Sequence, residues 1–177
     1  MKTRAIDDEI LYPAEEIVRV NADDIAVWKD KAFRNERQRI RLCAHRDEDD
    51  IVHEMLIVHT RETYVRPHKH LNKTESFHVI EGCADVIVFD EDGKIIDVIH
   101  MGTYDSGLCF YYRIADPIYH MIFIHSEVLV FHEVTKGPFR KNDTVYASWS
   151  PDINDTISVQ AYLAKISKAA QQSGNVR

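Results

Sequence analysis

Pro67-His68-Lys69-His70-Leu71-Asn72-Lys73-Thr74-Glu75-Ser76-Phe77-His78-Val79-Ile80-Glu81-Gly82 is the stretch whose spacing decides how the rest of the chain is read. In an extended strand, residues i and i+2 point to one face and lie about 6.5–7 Å apart along the chain. His68 and His70 therefore converge on one side. Leu71 to Thr74 turn the chain, and Glu75 opens a second strand on that same side, so the pattern is expected to sit on a β-hairpin. Gly82 closes the second strand, where a positive φ or a close backbone approach is wanted. With ten histidines in the chain a lone His-X-His pair signals little. Two imidazoles, a carboxylate and a glycine in fixed spacing signal a metal site.

Working outward, short alternating segments recur at the spacing of an all-β sandwich or barrel. Strands are expected over 51–59, 63–70, 75–81, 83–90, 94–100, 108–114, 118–125 and 127–134. Asp92-Gly93, between Val86-Ile87-Val88-Phe89 and Ile95-Ile96, marks a hairpin turn. Eight antiparallel strands close most naturally as a double-sheet jelly roll, which hides most strand edges. Before them, Glu16 to Val20 reads as a short strand. Asn21 then caps a helix over Ala22 to Asn35, with Asp23 and Asp24 in its first turn and Ile25, Trp28 and Phe33 as its apolar stripe. That helix is expected on the outside or bottom of the barrel. Arg37 to Ala44 alternates as a strand, with Ile40, Leu42 and Ala44 on one face and Arg37, Arg39, Arg41 and Cys43 on the other. After Trp149-Ser150-Pro151 the β pattern stops. Asp155 or Thr156 caps a final helix with Val159, Leu163 and Ile166 on one face, and Gln171 to Arg177 reads as a frayed polar tail. The organisation expected is an N-terminal strand and helix segment (1–45) packing on a barrel (46–150), followed by a C-terminal helix and tail (151–177).

Composition fits one soluble domain. The 177 residues are 45% hydrophobic and 29% charged, with a formal net charge of −7. An acidic balance argues against nucleic acid, whose phosphates need a basic face. No stretch approaches eighteen apolar residues, so no membrane helix is expected, and the acidic run Asp7-Asp8-Glu9 after Met1-Lys2-Thr3-Arg4 does not resemble a secretory signal. Three cysteines without CxxC spacing (Cys43, Cys83, Cys109) read as reduced thiols, and the cytoplasm is the expected compartment.

The stretch from Pro67 to Gly82 resembles the first motif of the cupin superfamily, with both histidines, the glutamate and the closing glycine in register. In the segment Ala115-Asp116-Pro117-Ile118-Tyr119-His120, Pro117 replaces the usual glycine, but His120 stands where cupins place their last ligand. Arg37 to His45, Asp50-Ile51-Val52-His53-Glu54-Met55, Tyr64 to His70, Lys73-Thr74-Glu75-Ser76-Phe77 and Glu133-Val134-Thr135-Lys136-Gly137-Pro138-Phe139 are similar to the WbuC-type cupin fold metalloproteins of surface-polysaccharide (O-antigen) gene sets. This resemblance runs over roughly residues 17–150. It implies the cupin double-stranded β-helix and one divalent transition-metal ion held by His68, His70, Glu75 and His120. Such a donor set suits Zn, Fe, Mn or Ni, and sequence does not choose among them. Four protein ligands on a six-coordinate ion leave positions open for a substrate. The resemblance further implies a homodimer.

Other residues are candidates for the chemistry around the ion. If alternation turns His53, Met55, Ile57 and His59 inward, His53 is a candidate general base; if Val52, Leu56 and Val58 face inward instead, it is not. Tyr64, two residues before Arg66 and four before His68, is a candidate proton carrier. Arg39, Arg41 and Arg66 form a candidate clamp for an anionic group, since guanidinium groups grip phosphate or carboxylate through two parallel bonds. Tyr112 is a candidate contact for a sugar ring. A small polar, anionic substrate follows, and by resemblance a sugar or nucleotide-linked sugar. Isomerisation or epimerisation by proton transfer fits these parts. An Fe(II)-dependent dioxygenase and a non-catalytic sugar-binding module are the alternatives.

Overall fold

The computed structural model describes residues 1–174, with side chains through Ala170. Among these, the chain runs β1 (Thr3–Ala5), β2 (Ile10–Pro13), α1 (Ala22–Arg34), β3 (Arg39–Cys43), β4 (Val52–Thr60), β5 (His68–His70) and β6 (Glu75–Glu81). It continues with β7 (Ala84–Phe89), β8 (Ile95–Met101), β9 (Tyr111–Ile114), β10 (Tyr119–Ile124), β11 (Val128–Lys136), β12 (Thr144–Tyr146) and α2 (Thr156–Gly174). The strands form two sheets, ordered β1-β2-β3-β4-β11-β6-β9 and β12-β5-β10-β7-β8. All neighbours are antiparallel except β2 and β3, which pair in parallel.

Alternation along each strand sorts side chains into layers. Phe77, Val79, Ile57 and Phe131 from the larger sheet meet Val86, Ile122, Ile124 and Met101 from the smaller one, making the core between the sheets. Ile40, Leu42, Val58 and Val130 face outward from the larger sheet and are covered by Trp28 and Ala32 of α1. Ile87, Phe89 and Met121 face outward from the smaller sheet and are covered by Val159, Ile166 and Ala170 of α2. The result is a jelly-roll sandwich with one helix on each outer face. This is the expected all-β class with an N-terminal and a C-terminal helix.

Asn21 caps α1 by a reciprocal box. Its side chain accepts from the backbone of Asp23 and Asp24, and Asp24 accepts from the Asn21 backbone. That local chemistry made the helix readable in the sequence. Its stripe differs by one position. Phe33 is 44% exposed while Ala32 is fully buried, because a helix at 3.6 residues per turn places 25, 28 and 32 on one line.

Several boundaries depart from expectation. Glu16 to Val20 is irregular, although Val18 and Val20 pack against the α1 core. The first residues form the β1–β2 hairpin instead, so the N-terminal segment supplies three strands to the larger sheet. The strand expected over 63–70 begins only at His68, since Pro67 cannot donate to a ladder. β12 supplies a further short strand that pairs with β5. α2 continues through Gly174 where a frayed tail from Gln171 was expected, and 175–177 lie outside the described residues.

Candidate metal centre

β5 and β6 belong to different sheets. The expected hairpin is therefore a crossing: residues 71–74 carry the chain from one sheet to the other, with Asn72 at φ +59°. His68 and His70 come from β5, and His120 stands directly opposite His68 on β10. Glu75 projects from β6 across the interior. The ligand-type atoms of His68, His70, Glu75 and His120 all lie within 4.8 Å of one another. Centroids of the His68 ring lie 4.8 Å from His70 and 4.7 Å from His120.

Each imidazole is anchored from behind. His68 Nδ1 lies 2.8 Å from the Arg66 carbonyl and His120 Nδ1 lies 3.0 Å from that of Ile118. A carbonyl oxygen only accepts, so each Nδ1 carries a proton and Nε2 is the nitrogen turned toward the cluster. His70 Nδ1 stands 3.2 Å from Thr144 Oγ1 of β12. Such outer partners fix ring orientation in metal sites. Glu75 meets His70 Nε2 at 3.1 Å through Oε2 and His120 Nε2 at 3.6 Å through Oε1, and Tyr112 donates to Oε1 at 2.8 Å.

Electrostatics favour a cation. Burial, then the neighbouring His120 and His70, push His68 down to about 3, so its ring is neutral. Burial works to raise Glu75, but the hydrogen bonds from His120 and His70 outweigh it and hold the carboxyl well below its usual range. Burial works to lower His120, and Glu75 overcomes it, raising the imidazole. Three oriented nitrogens and one ionised carboxylate, enclosed between two sheets, fit one divalent metal ion.

The remaining sequence candidates are placed as follows. His53 is buried on the inner face, in the rung that reaches Glu75 through Thr135. Its Nε2 has no hydrogen-bond partner among the described residues, and its ring stacks on His45 at 4.0 Å. Two strand spacings separate His53 from Glu75, about 9–10 Å between backbones. Tyr64 lies in the outer layer beneath α2 and donates to the Pro151 carbonyl. Arg66 is bound to Asp152 at 2.8 Å and to Ser150 Oγ at 3.2 Å, tying β5 to the segment before α2. Neither shares the inner face with the ligands, because residues 61–67 are not a strand and parity does not carry through them. Arg39 and Arg41 do face inward, but further along the sheet, opposite His59 and Ile57.

Two residues escaped the sequence reading. Glu133 lies on β11 opposite Phe77, one inner-face step from the Thr135–Glu75 rung. Burial, then the Glu75 carboxylate, push its carboxyl up. The alternation Leu129-Phe131-Glu133-Thr135 carried that signal. Lys73, in the crossing segment, is 8% exposed with its ammonium over the Phe139 ring.

A model of the family described as a domain of unknown function (DUF6016) matches residues 20–101. No curated protein matches the sequence. Among solved structures, protein SO0799 from Shewanella oneidensis is similar, at TM-score 0.54 and 10% identity over 72% of this chain and 85% of that one. The fold is that of the cupins. A Bacillus subtilis oxalate decarboxylase studied for its Mn(II) centres superposes at TM-score 0.45 and 22% identity, over 65% of this chain and 29% of its own. The capsular polysaccharide assembling protein CapF of Staphylococcus aureus gives TM-score 0.45 and 18% identity, over 55% of this chain and 27% of its own. The chain thus spans under a third of the length of these last two proteins. Among the described residues no helix is long and apolar enough to cross a membrane.

Proposed function

We propose that this cupin is a metal-dependent enzyme that moves a proton on a sugar or nucleotide-linked sugar, as an isomerase or epimerase does. The observation that carries it is the constellation of His68, His70, His120 and Glu75, in which carbonyls behind His68 and His120 turn their Nε2 atoms toward an ionised carboxylate. The ion would supply Lewis-acid polarisation of a substrate oxygen. Glu133, half-buried and favoured in its protonated form, is suited to hold a proton near that oxygen. His53, with an unpartnered Nε2 on the same inner face, is a second group able to take one. Lys73 offers a cation at the crossing segment for an anionic part of the substrate. The similarity of its motifs to WbuC-type proteins supports a sugar of surface-polysaccharide synthesis as the substrate class.

The test is proton exchange. The metal-loaded protein is incubated with a panel of nucleotide-sugars in D2O, and the carbon-bound protons are followed by NMR. Loss of one sugar proton signal, abolished in His120→Ala, is the expected result. Exchange that persists in His120→Ala, or substrate-dependent oxygen uptake without exchange, overturns the reading, the latter in favour of a dioxygenase. Saturable sugar binding with no chemical change assigns a binding module instead.

A further inference from the structure

Arg39 and Arg41 on β3 wall a recess together with Ile57 and His59 of β4, Glu9 and Ile40. It lies where β2 joins β3, with the Glu9 carbonyl accepting from the Arg41 backbone at 2.8 Å. The recess offers about 40 Å³ to the centres of water molecules. One water needs about 10–15 Å³ by that measure, so the space admits roughly three waters or one compact oxyanion.

Its charges do not balance. Glu9 meets Arg39 Nε at 2.7 Å and an Arg37 terminal nitrogen at 3.4 Å. Arg41 has no ion pair or side-chain hydrogen bond among the described residues, and its Nε is buried without a partner. His59, 7% exposed, likewise has a buried Nδ1 with no partner. Burial first, then Arg39, Arg41 and Arg37, push His59 down to about 3. The ring is therefore neutral, with one N–H to donate. Three guanidinium groups against one carboxylate leave an excess of positive charge beside an unused guanidinium N–H and an unpartnered imidazole nitrogen.

The recess is separate from the metal centre. Arg41 stands opposite Ile57, four residues along β4 from His53, whose rung contains Glu75. At about 3.4 Å per residue that is roughly 14 Å, and Glu133, between the two places, feels the charge of Arg41 as well as that of Glu75. Buried Ile57, Phe131 and Phe77 fill the inner face between them.

We infer that this recess is a binding site for a tetrahedral oxyanion, a phosphate or the phosphoryl end of a small metabolite, gripped by Arg41 and Arg39 and capped by His59. Planar guanidinium forks match the oxygens of such a group. Glu9 is its internal competitor for Arg39. The inference does not depend on the proposed reaction.

The metal-loaded full-length protein is titrated with inorganic phosphate by calorimetry, in parallel with glucose 1-phosphate. Saturable binding is expected, weakened at least about tenfold by Arg41→Gln, the loss of one charge-assisted contact. Glu9→Gln is expected to tighten binding, and His120→Ala to leave it within about twofold, because His120 stands on β10 of the smaller sheet and does not line the recess. Tighter binding of the ester assigns the metabolite, and equal or weaker binding assigns the free ion. If Arg41→Gln does not fold, Arg39→Gln and Glu9→Gln carry the comparison. Binding lost in His120→Ala but kept in Arg41→Gln places the anion on the metal and overturns the proposal. So does absence of binding at millimolar phosphate, which would leave the arginines as a clasp for Glu9. Neither result bears on proton exchange at the metal centre.

Discussion

Tyr112 donates its phenolic hydrogen to Glu75 Oε1 at 2.8 Å while His70 Nε2 stands 3.1 Å from Oε2, so both carboxylate oxygens are held by named partners. Tyr112 comes from β9 at the edge of the larger sheet and is itself buried. Burial first, then the Glu75 charge, raise its phenol well above the ordinary value, so the group donates and does not ionise. Tyr112→Phe removes only that donor. Loss of an orienting partner of this kind costs about 10–100-fold in metal affinity. The apoprotein should lose about 1 kcal/mol, which is about 2–4 °C in Tm at this chain length. Competition with a chelator measures the first and a melting curve the second; unchanged affinity would show that the hydroxyl does not position Glu75.

How much of this was legible depended on whether a residue's role was local. His68, His70 and Glu75 were readable because strand period and spacing are local, and Asn21 with Asp24 announced α1 through a reciprocal cap. The crossing between sheets was not, since a turn of four residues fits a hairpin and a crossover equally. Tyr64 and Arg66 share the parity of His68 within 63–70, but parity holds only while the backbone stays extended, and β5 starts at His68. Thr144 behind His70 lies 74 residues away on a three-residue strand, and so short a segment carries almost no periodic signal. Glu133 was visible in parity yet hidden by its apolar neighbours. Long-range pairing, which composition does not encode, decided each of these.

Glu133→Gln keeps the size of the side chain and removes the titrating proton. If Glu133 transfers a proton on the substrate, turnover should fall by about 10²–10⁴-fold. Metal content should be unchanged, because the residue is not among the four ligand-type groups. Elemental analysis beside the D2O exchange rate separates the two; equal exchange rates would remove Glu133 from the reaction and leave His53 as the group to test.

Gly82 follows β6 with φ +88°, and a Cβ there would stand 2.3 Å from the Val128 carbonyl oxygen and 2.4 Å from Ser126 Oγ. The serine is itself committed, accepting from the Cys83 amide at 3.0 Å and bonding the Val128 carbonyl at 2.6 Å. Gly82→Ala should therefore cost at least about 1–2 kcal/mol from backbone conformation alone. At about 2–4 °C per kcal/mol that lowers Tm by roughly 2–8 °C. A melting curve equal to that of the parent would mean that the turn into β7 relaxes freely.

Asp85 of β7 lies buried beneath two imidazoles, with His100 Nδ1 2.6 Å from one oxygen and His125 Nε2 2.8 Å from the other. Burial works to raise the Asp85 carboxyl, but the hydrogen bonds from His125 and His100 outweigh it and hold it below the ordinary value. The hydrogen bond that His125 donates to Asp85 raises the imidazole, against the opposing effect of burial. A lowered carboxyl contributes stability above its unfolded value near 3.9 and loses it as pH falls through the folded one. A raised imidazole contributes stability below its unfolded value near 6.5 and loses it as pH rises through the folded one. The cluster should thus stabilise most between about pH 4 and 6.5. Asp85→Asn should flatten the fall in Tm on the alkaline side of that window, with the difference from the parent largest inside it. Parallel melting profiles for the two proteins from pH 5 to 8 would show that His125 does not draw its proton affinity from Asp85.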